Sequence, residues 1–285
     1  MLLGAHLSVA GGLHKAVERA AEYAFNTVAI FVRNQVQWRA APLTAEAVGR
    51  FRRARRRLKI RPVIAHGSYL VNLAGRPAVR EPSLAAVADE LDRCARLGVQ
   101  YYVFHPGSPG EDGREAGISR VADALNQLVA ARGRRRVKVL LETTAGAGRQ
   151  LGGTFEDLAE MLCRLERPRR FGVCLDTCHV FAAGYDIRTP AAYRRTMKHF
   201  DRSIGLDRLF VVHLNDSLKE LGCHRDRHEH IGLGRIGLGG FANFVNDPRL
   251  AAVPMILETP KGTTDDGRDW DQVNADAIRG LAQKP

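Results

Sequence analysis

A chain of 285 residues, 45% of them hydrophobic, is long enough to bury a substantial core, either as two average domains or as one large α/β barrel. No apolar run approaches the ~20 residues that a membrane span needs, and five scattered cysteines are too few for a disulfide framework. The formal net charge of +12, carried mostly by arginine, suits a polyanionic partner such as nucleic acid and equally suits the compositional bias of an arginine-rich genome. The opening residues, Met1-Leu2-Leu3-Gly4-Ala5-His6, read as a strand and not as a signal peptide, so the expected location is the cytoplasm.

In chain order, eight apolar runs have the length of buried strands: Leu2–His6, Thr27–Val32, Pro62–His66, Val99–His105, Val137–Glu142, Phe171–Asp176, Leu209–His213 and Pro254–Glu258. Segments of helical spacing lie between most of them. Leu13, Val17, Ala20, Ala21 and Ala24 mark one apolar face, Leu84, Val87, Leu91, Ala95 and Leu97 a second, and Val121, Leu125, Leu128 and Val129 a third. Thr44, Thr154 with Asp157 three residues on, and Thr189-Pro190 are helix-start signals, and Gly98 falls where a helix should end. Eight strand–helix alternations without a linker predict a single (β/α)8 TIM barrel over residues 1–285. A doubly wound open sheet is the competitor, and it would gather ligands from only a few strands.

The stretch Cys174-Leu175-Asp176-Thr177-Cys178-His179 shows the recurring event: an apolar run that ends in a carboxylate or an imidazole. The same event places His66, His105, Glu142, Asp176, His213 and Glu258 at the ends of strands three to eight. The residue two positions earlier is usually aliphatic (Ile64, Val103, Leu140, Val211, Ile256), so each polar group caps the barrel interior at its C-terminal mouth. One such residue would more often be structural. Six at equivalent positions predict a polynuclear metal centre, because buried carboxylates facing one space repel unless cations lie between them. His179, Asp226 and His228 add ligands from the βα loops. Cys174 and Cys178 read as buried reduced thiols and not as a thiolate pair. His6 ends the first strand and is expected to contact phosphate or to sit behind the ligands; His14 and His199 read as surface residues, and His224 and His230 have no evident partner.

Three basic clusters, Arg52–Arg57, Arg134–Arg136 and Arg167–Arg170, precede strands three, five and six and so belong to the opposite face. The cations expected near a partner are in βα loops: Arg33, Arg39, Arg149, Lys219, Arg225, Arg227, Arg235 and Lys261.

Over nearly its whole length the sequence resembles endonuclease IV, the metal-dependent apurinic/apyrimidinic endonuclease family. The resemblance is carried by Gly4-Ala5-His6-Leu7-Ser8 with Gly11-Gly12, Asn34-Gln35 with Gln37-Trp38-Arg39, and His66 with Ser68-Tyr69-Leu70 and Asn72-Leu73. It continues through Phe104-His105-Pro106-Gly107-Ser108, Glu142-Thr143-Thr144-Ala145-Gly146 and Leu175-Asp176-Thr177-Cys178-His179. His213-Leu214-Asn215-Asp216, Asp226-Arg227-His228 and Leu257-Glu258-Thr259-Pro260 complete it. It implies three zinc ions per chain, with manganese admissible at one position. By it, His66, His105 and Glu142 hold one ion; Glu142 bridges to a second held by Asp176, His213 and Glu258; His179, Asp226 and His228 take the third.

The implied reaction is hydrolysis of the phosphodiester 5′ to an abasic site in duplex DNA, leaving a 3′-hydroxyl, with Glu142 or Glu258 orienting the nucleophile or accepting its proton. In that family, loop side chains enter the gap left by the missing base; Tyr69 and Leu70 match that role here, while Val36 stands where members can carry Arg. With Arg227 and His6 these are the expected DNA contacts, and neither a membrane nor an obligate protein partner is expected. The alternatives are a metal-dependent sugar isomerase or epimerase of the same barrel type, and a non-catalytic nucleic-acid-binding protein. The first gives no role to Asp226-Arg227-His228, and the second none to nine converging ligands.

Overall fold

The computed structural model describes residues 1–131 and 137–283 and contains eight parallel strands wound into a barrel. They are β1 (Leu2–Ala5), β2 (Val28–Phe31), β3 (Val63–His66), β4 (Tyr101–Phe104), β5 (Lys138–Glu142), β6 (Phe171–Asp176) and β7 (Leu209–Leu214). After β7, a two-residue hairpin pairs β8 (Asp216–Ser217) with β9 (His228–Glu229) before β10 (Pro254–Leu257) completes the ring. Each expected run contains one barrel strand. The helices that return the chain are α1 (Leu13–Glu22), α2 (Ala45–Arg57), α3 (Pro77–Leu97), α4 (Arg114–Ala130), α5 (Phe155–Cys163), α6 (Thr177–Ala182), α7 (Pro190–Ser203), α8 (Gly237–Val245) and α9 (Trp270–Leu281).

Local chemistry sets several of their ends. Thr44, Thr154 and Thr189 each accept a hydrogen bond from the backbone N–H three residues on, satisfying a donor that the first helical turn leaves free. Gly98 closes α3 at φ 76°, a left-handed position that costs glycine least.

Pairing runs β1-β10-β7-β6-β5-β4-β3-β2, and β1 meets β2 through the His6–Ala29 bridge, with Leu7 N–H donating to Ala29 O at 3.0 Å. Gly4 makes this seam fit: a Cβ there would stand 2.3 Å from the Thr27 carbonyl oxygen. The barrel interior is one apolar layer of Ala29, Ile64, Val103, Leu140, Cys174, Val211 and Ile256, contributed by seven of the eight strands. A larger core lies between strands and helices. Truncating Ile64, Leu140 or Ile256 to Ala would cost about 2–5 kcal/mol, because a closed ring collapses poorly onto a void. Two residues beyond this layer, on the same face of every strand, the chain changes from apolar to mouth-lining side chains: His6, Phe31, His66, His105, Glu142, Asp176, His213 and Glu258.

The Arg52–Arg57 cluster ends α2 and Arg167–Arg170 leads into β6, both at the N-terminal face as expected. Arg134–Arg136 lie outside the described residues.

Candidate metal centre

The mouth-level residues converge. His66 Nε2 is 3.0 Å and His105 Nε2 3.3 Å from Glu142 Oε2, while His213 Nδ1 is 3.0 Å from Glu142 Oε1 and 3.1 Å from Glu258 Oε2. On the loop side, His179 Nε2 and His228 Nε2 each lie 3.1 Å from one oxygen of Asp226. Three groups of donor atoms follow, each close enough to hold one ion: His66–His105–Glu142, Glu142–Asp176–His213–Glu258 and His179–Asp226–His228. Glu142, fully buried, belongs to the first two. These are the same three sets that the sequence resemblance implies.

Three of the imidazoles are oriented by backbone carbonyls. The Nδ1–H of His66 donates to Gly67 O (2.8 Å), that of His179 to Thr143 O (2.8 Å) and that of His228 to Glu258 O (3.0 Å). Each Nε2 is thereby left as a lone pair facing carboxylate oxygens, an acceptor against an acceptor. That geometry is repulsive unless a proton or a cation lies between, and the carbonyl-fixed tautomer is the usual arrangement behind a metal-binding imidazole. His105 Nε2, His213 Nε2 and His228 Nε2 are buried without a hydrogen-bond partner among the described residues.

The electrostatics agree. Burial pushes His66, His179 and His213 toward neutrality, yet the surrounding carboxylates outweigh it at His66 and His179, and Cys174 with Glu258 and Glu142 outweighs it at His213, so all three stand above their ordinary value. His228 rises to about 9, burial being overcome by Asp176 and Asp226. Burial opposes ionisation of Glu142 and Glu258, but His213 and the neighbouring imidazoles hold both well below the carboxylate range. The site is therefore a cluster of carboxylates and imidazoles whose ionised forms stabilise one another. Cys174 and Cys178 also come within reach of these groups, but burial pushes each thiol up to about 12, so both remain protonated packing residues.

The strands deliver this arrangement with help the sequence did not advertise. Asp176 caps α6, its Oδ1 accepting His179 N–H at 2.9 Å, while its Oδ2 accepts Asn215 Nδ2 at 2.6 Å. Asn215 Oδ1 in turn accepts Glu258 N–H at 2.8 Å, so one buried amide fixes two mouth residues. Asp216 accepts the N–H groups of Ser217, Gly232 and Ile236, which pins the loop carrying Asp226 and His228. Sequence reasoning alone gives no role to Asn215 or Asp216; their place just past β7 in His213-Leu214-Asn215-Asp216 is the available signal.

Residues 17–283 match the xylose isomerase-like TIM barrel family. A protein called "Probable endonuclease 4" from Chloroflexus aurantiacus is 48% identical over 282 residues, covering 98% of both chains. The crystal structure of endonuclease IV from Thermus thermophilus superposes with a TM-score of 0.87 at 38% identity, covering 99% of this chain and 98% of that one.

The chain belongs to the endonuclease IV family.

A D-tagatose 3-epimerase-like protein shares the fold alone, with a TM-score of 0.76 at 19% identity. The other residues singled out for the endonuclease IV role stand around the mouth. Tyr69 is 64% exposed, its ring 5.4 Å from Phe31 and 6.0 Å from His66, and it forms a ridge between two clefts. One cleft runs past His105 and Asn72, the other past His6, Glu258 and Lys261. Leu70 is half-buried beside Tyr69, and Val36 is 62% exposed. Arg227 is exposed between the two loop ligands.

His6 lines the second cleft, and its Nδ1–H donates to Glu258 Oε1 (2.9 Å), which puts it behind a mouth carboxylate. Arg33 differs from expectation: it is buried and bonded to the Gln37 and Trp38 carbonyls, so it shapes its loop instead of facing a partner. Arg149, Arg235 and Lys261 are paired with Glu111, Glu220 and Asp271. His224 and His230 do have partners: His224 Nδ1 donates to Ala145 O, and His230 stacks 3.6 Å from Trp270.

Proposed function

We infer that this protein is a zinc-dependent apurinic/apyrimidinic endonuclease, hydrolysing the phosphodiester 5′ to abasic sites in duplex DNA and leaving 3′-hydroxyl ends. The observation that carries this reading is the sharing of Glu142 between two donor groups, with a third group of loop residues beside them. In this reading His66, His105 and Glu142 hold one ion, Glu142, Asp176, His213 and Glu258 a second, and His179, Asp226 and His228 a third. Zinc bound there would activate water and neutralise the leaving oxyanion.

The chain's own residues do the rest. Glu258, held by His6, His213 and Asn215 through its side chain and backbone N–H, is placed to orient the nucleophile or to take its proton. Glu142 is fully buried among four imidazoles, so its part is to hold charge. Tyr69 and Leu70 enter the duplex where the base is missing, and swinging out an unpaired residue costs less than unstacking a paired one. Arg227 meets backbone phosphate, and Val36 fills space without bonding. The third donor group separates this reading from a sugar epimerase, which needs at most two ions and no His179–Asp226–His228 set.

The test is incision of a duplex bearing one abasic analogue, with and without chelator, with both ends at the cut identified. A 3′-hydroxyl and a 5′-sugar phosphate, made only with metal, are expected; a 3′-unsaturated aldehyde, the product of lyase chemistry, would refute it.

A further inference from the structure

Beneath the Tyr69 ridge lies a buried carboxylate that no step above uses. Glu90, in the middle of α3, is 1% exposed and points between β3 and β4. Its Oε1 accepts the Ser68 N–H at 3.1 Å, and its Oε2 accepts the Tyr102 hydroxyl at 2.5 Å. Ser68 is the residue before Tyr69, and its hydroxyl spans the two loops at the mouth, donating to Gln35 O (2.7 Å) and accepting Leu70 N–H (3.2 Å). The neighbouring turn is also clamped by α3, where Ser83 Oγ accepts Asn72 N–H at 3.0 Å. Gly67 allows no slack: a Cβ there would stand 2.6 Å from the Tyr102 hydroxyl. Burying a carboxylate is costly even with these donors and the buried Arg33 near it, and leucine at this helix position would avoid that cost. What the carboxylate gains is the fixed direction of one loop N–H.

We propose that Glu90 is a positioning residue that presets the Ser68–Tyr69–Leu70 segment, and through Ser68 the Gln35–Val36 loop, for entry into the abasic gap. The assignment rests on the DNA-repair reading above. Without Glu90, the Ser68 N–H and the Tyr102 hydroxyl lose their acceptor, and the ridge must be ordered anew on each binding event, which raises the apparent dissociation constant and leaves the metal centre intact.

The experiment uses the full-length, metal-loaded protein and a duplex with 2-aminopurine opposite an uncleavable abasic analogue, alongside steady-state incision of a cleavable one. Glu90→Leu should lower the 2-aminopurine response and raise KM about tenfold, the effect on the ridge of leaving the Ser68 N–H without its acceptor, with kcat and metal content retained. Glu90→Gln, which keeps an acceptor for Ser68, should restore most of both. Tyr102→Phe, which leaves the Ser68 contact in place, should give a smaller loss in the same direction and serves if Glu90→Leu does not fold. Adding Tyr69→Ala to Glu90→Leu should cost much less than Tyr69→Ala alone, because both act on one device. Parental opening and KM in Glu90→Leu, or additive losses with Tyr69→Ala, would overturn the proposal. Loss of metal in Glu90→Leu would also overturn it and assign the residue to His66. Failure of the parent protein to incise the duplex would instead remove the DNA-repair reading itself.

Discussion

At the N-terminal end of the barrel, the Tyr101 and Phe210 rings close the bore 5.9 Å apart, with Lys138 Nζ 3.9 Å from the Phe210 ring. At the C-terminal end, the same bore opens onto imidazoles and carboxylates whose donor atoms converge closely enough to hold cations. Both ends are rich in arginine and lysine, yet several cations at the closed end serve as ties. Arg55 bonds to Gly98 O, Arg208 to Pro168 O and Lys138 to Arg169 O, each fixing a turn that leads into a strand. At the open end Arg39, Arg225 and Arg227 have no acidic partner among the described residues. The contrast teaches that the sign of the charge carries little information about function. Convergence carries it, and in a parallel barrel convergence follows from where the strands point.

The contrast is broken most directly at Glu258. Replacing Glu258 by Gln keeps its size and removes its charge, so kcat should fall by on the order of 10²–10³ while affinity for an uncleavable abasic duplex stays near parental. Single-turnover rates and a binding titration decide it, and near-parental turnover would remove Glu258 from the reaction. No comparable loss should follow from any substitution at the closed end.

The next effect is on stability. In metal-free protein the raised imidazoles contribute stability that is fully present below their unfolded value near 6.5; for His228 it is lost as pH rises through about 9. Glu142 and Glu258, held low, contribute stability present above the ordinary carboxylate value and lost at more acid pH. Chelator-treated protein should therefore melt several degrees lower at pH 9 than at pH 6, whereas the loaded protein should change little over that interval. Identical pH profiles with and without chelator would mean that the mouth residues do not share bound cations.

A smaller effect separates the two faces as electrostatic surfaces. Arg227→Ala should make the dependence of log affinity on log salt shallower by about one unit, the share of one phosphate contact. Joint replacement of Arg55, Arg56 and Arg57 by Ala should leave that slope unchanged. The reverse pattern would put the duplex on the closed end. Smallest of all is Val36→Arg: at the exposed tip of its loop it should leave incision unchanged or tighten binding by no more than a few fold. Marked weakening would mean that Val36 packs against the partner.

The barrel and the six strand-end donors were legible in the sequence because both follow from alternation, whereas the loop donors His179, Asp226 and His228 were grouped by the family resemblance. A strand that buries Ile64, Val103, Leu140 or Ile256 must present the residue two positions later to the same space, and that residue is His66, His105, Glu142 or Glu258. What could not be read depends on contacts between distant segments. Asn215 is an ordinary polar residue until β6 and β10 bring Asp176 and Glu258 to either side of it. Glu90 looks like any helix glutamate until Tyr102 and Ser68 enclose it. Arg33 reads as a loop cation, but its guanidinium turns inward to carbonyls that exist only once residues 37 and 38 fold back. Spacing encodes which face a residue takes. It does not encode which neighbour will arrive there.

The position of β1 in the ring has a consequence for synthesis. It pairs with β10, and His6 reaches Glu258 across 252 residues of chain. Until β10 emerges from the ribosome, β1 and β7 both present unpaired edges, and the first strand is held by the short His6–Ala29 bridge and by hydrogen bonds between Leu3 and Asn26. Every other neighbouring pair in the ring can form as soon as the second strand of the pair is made. Ring closure is thus a late event of high contact order, and nascent chains stalled before Pro254 should be protease-sensitive and prone to associate through those two edges.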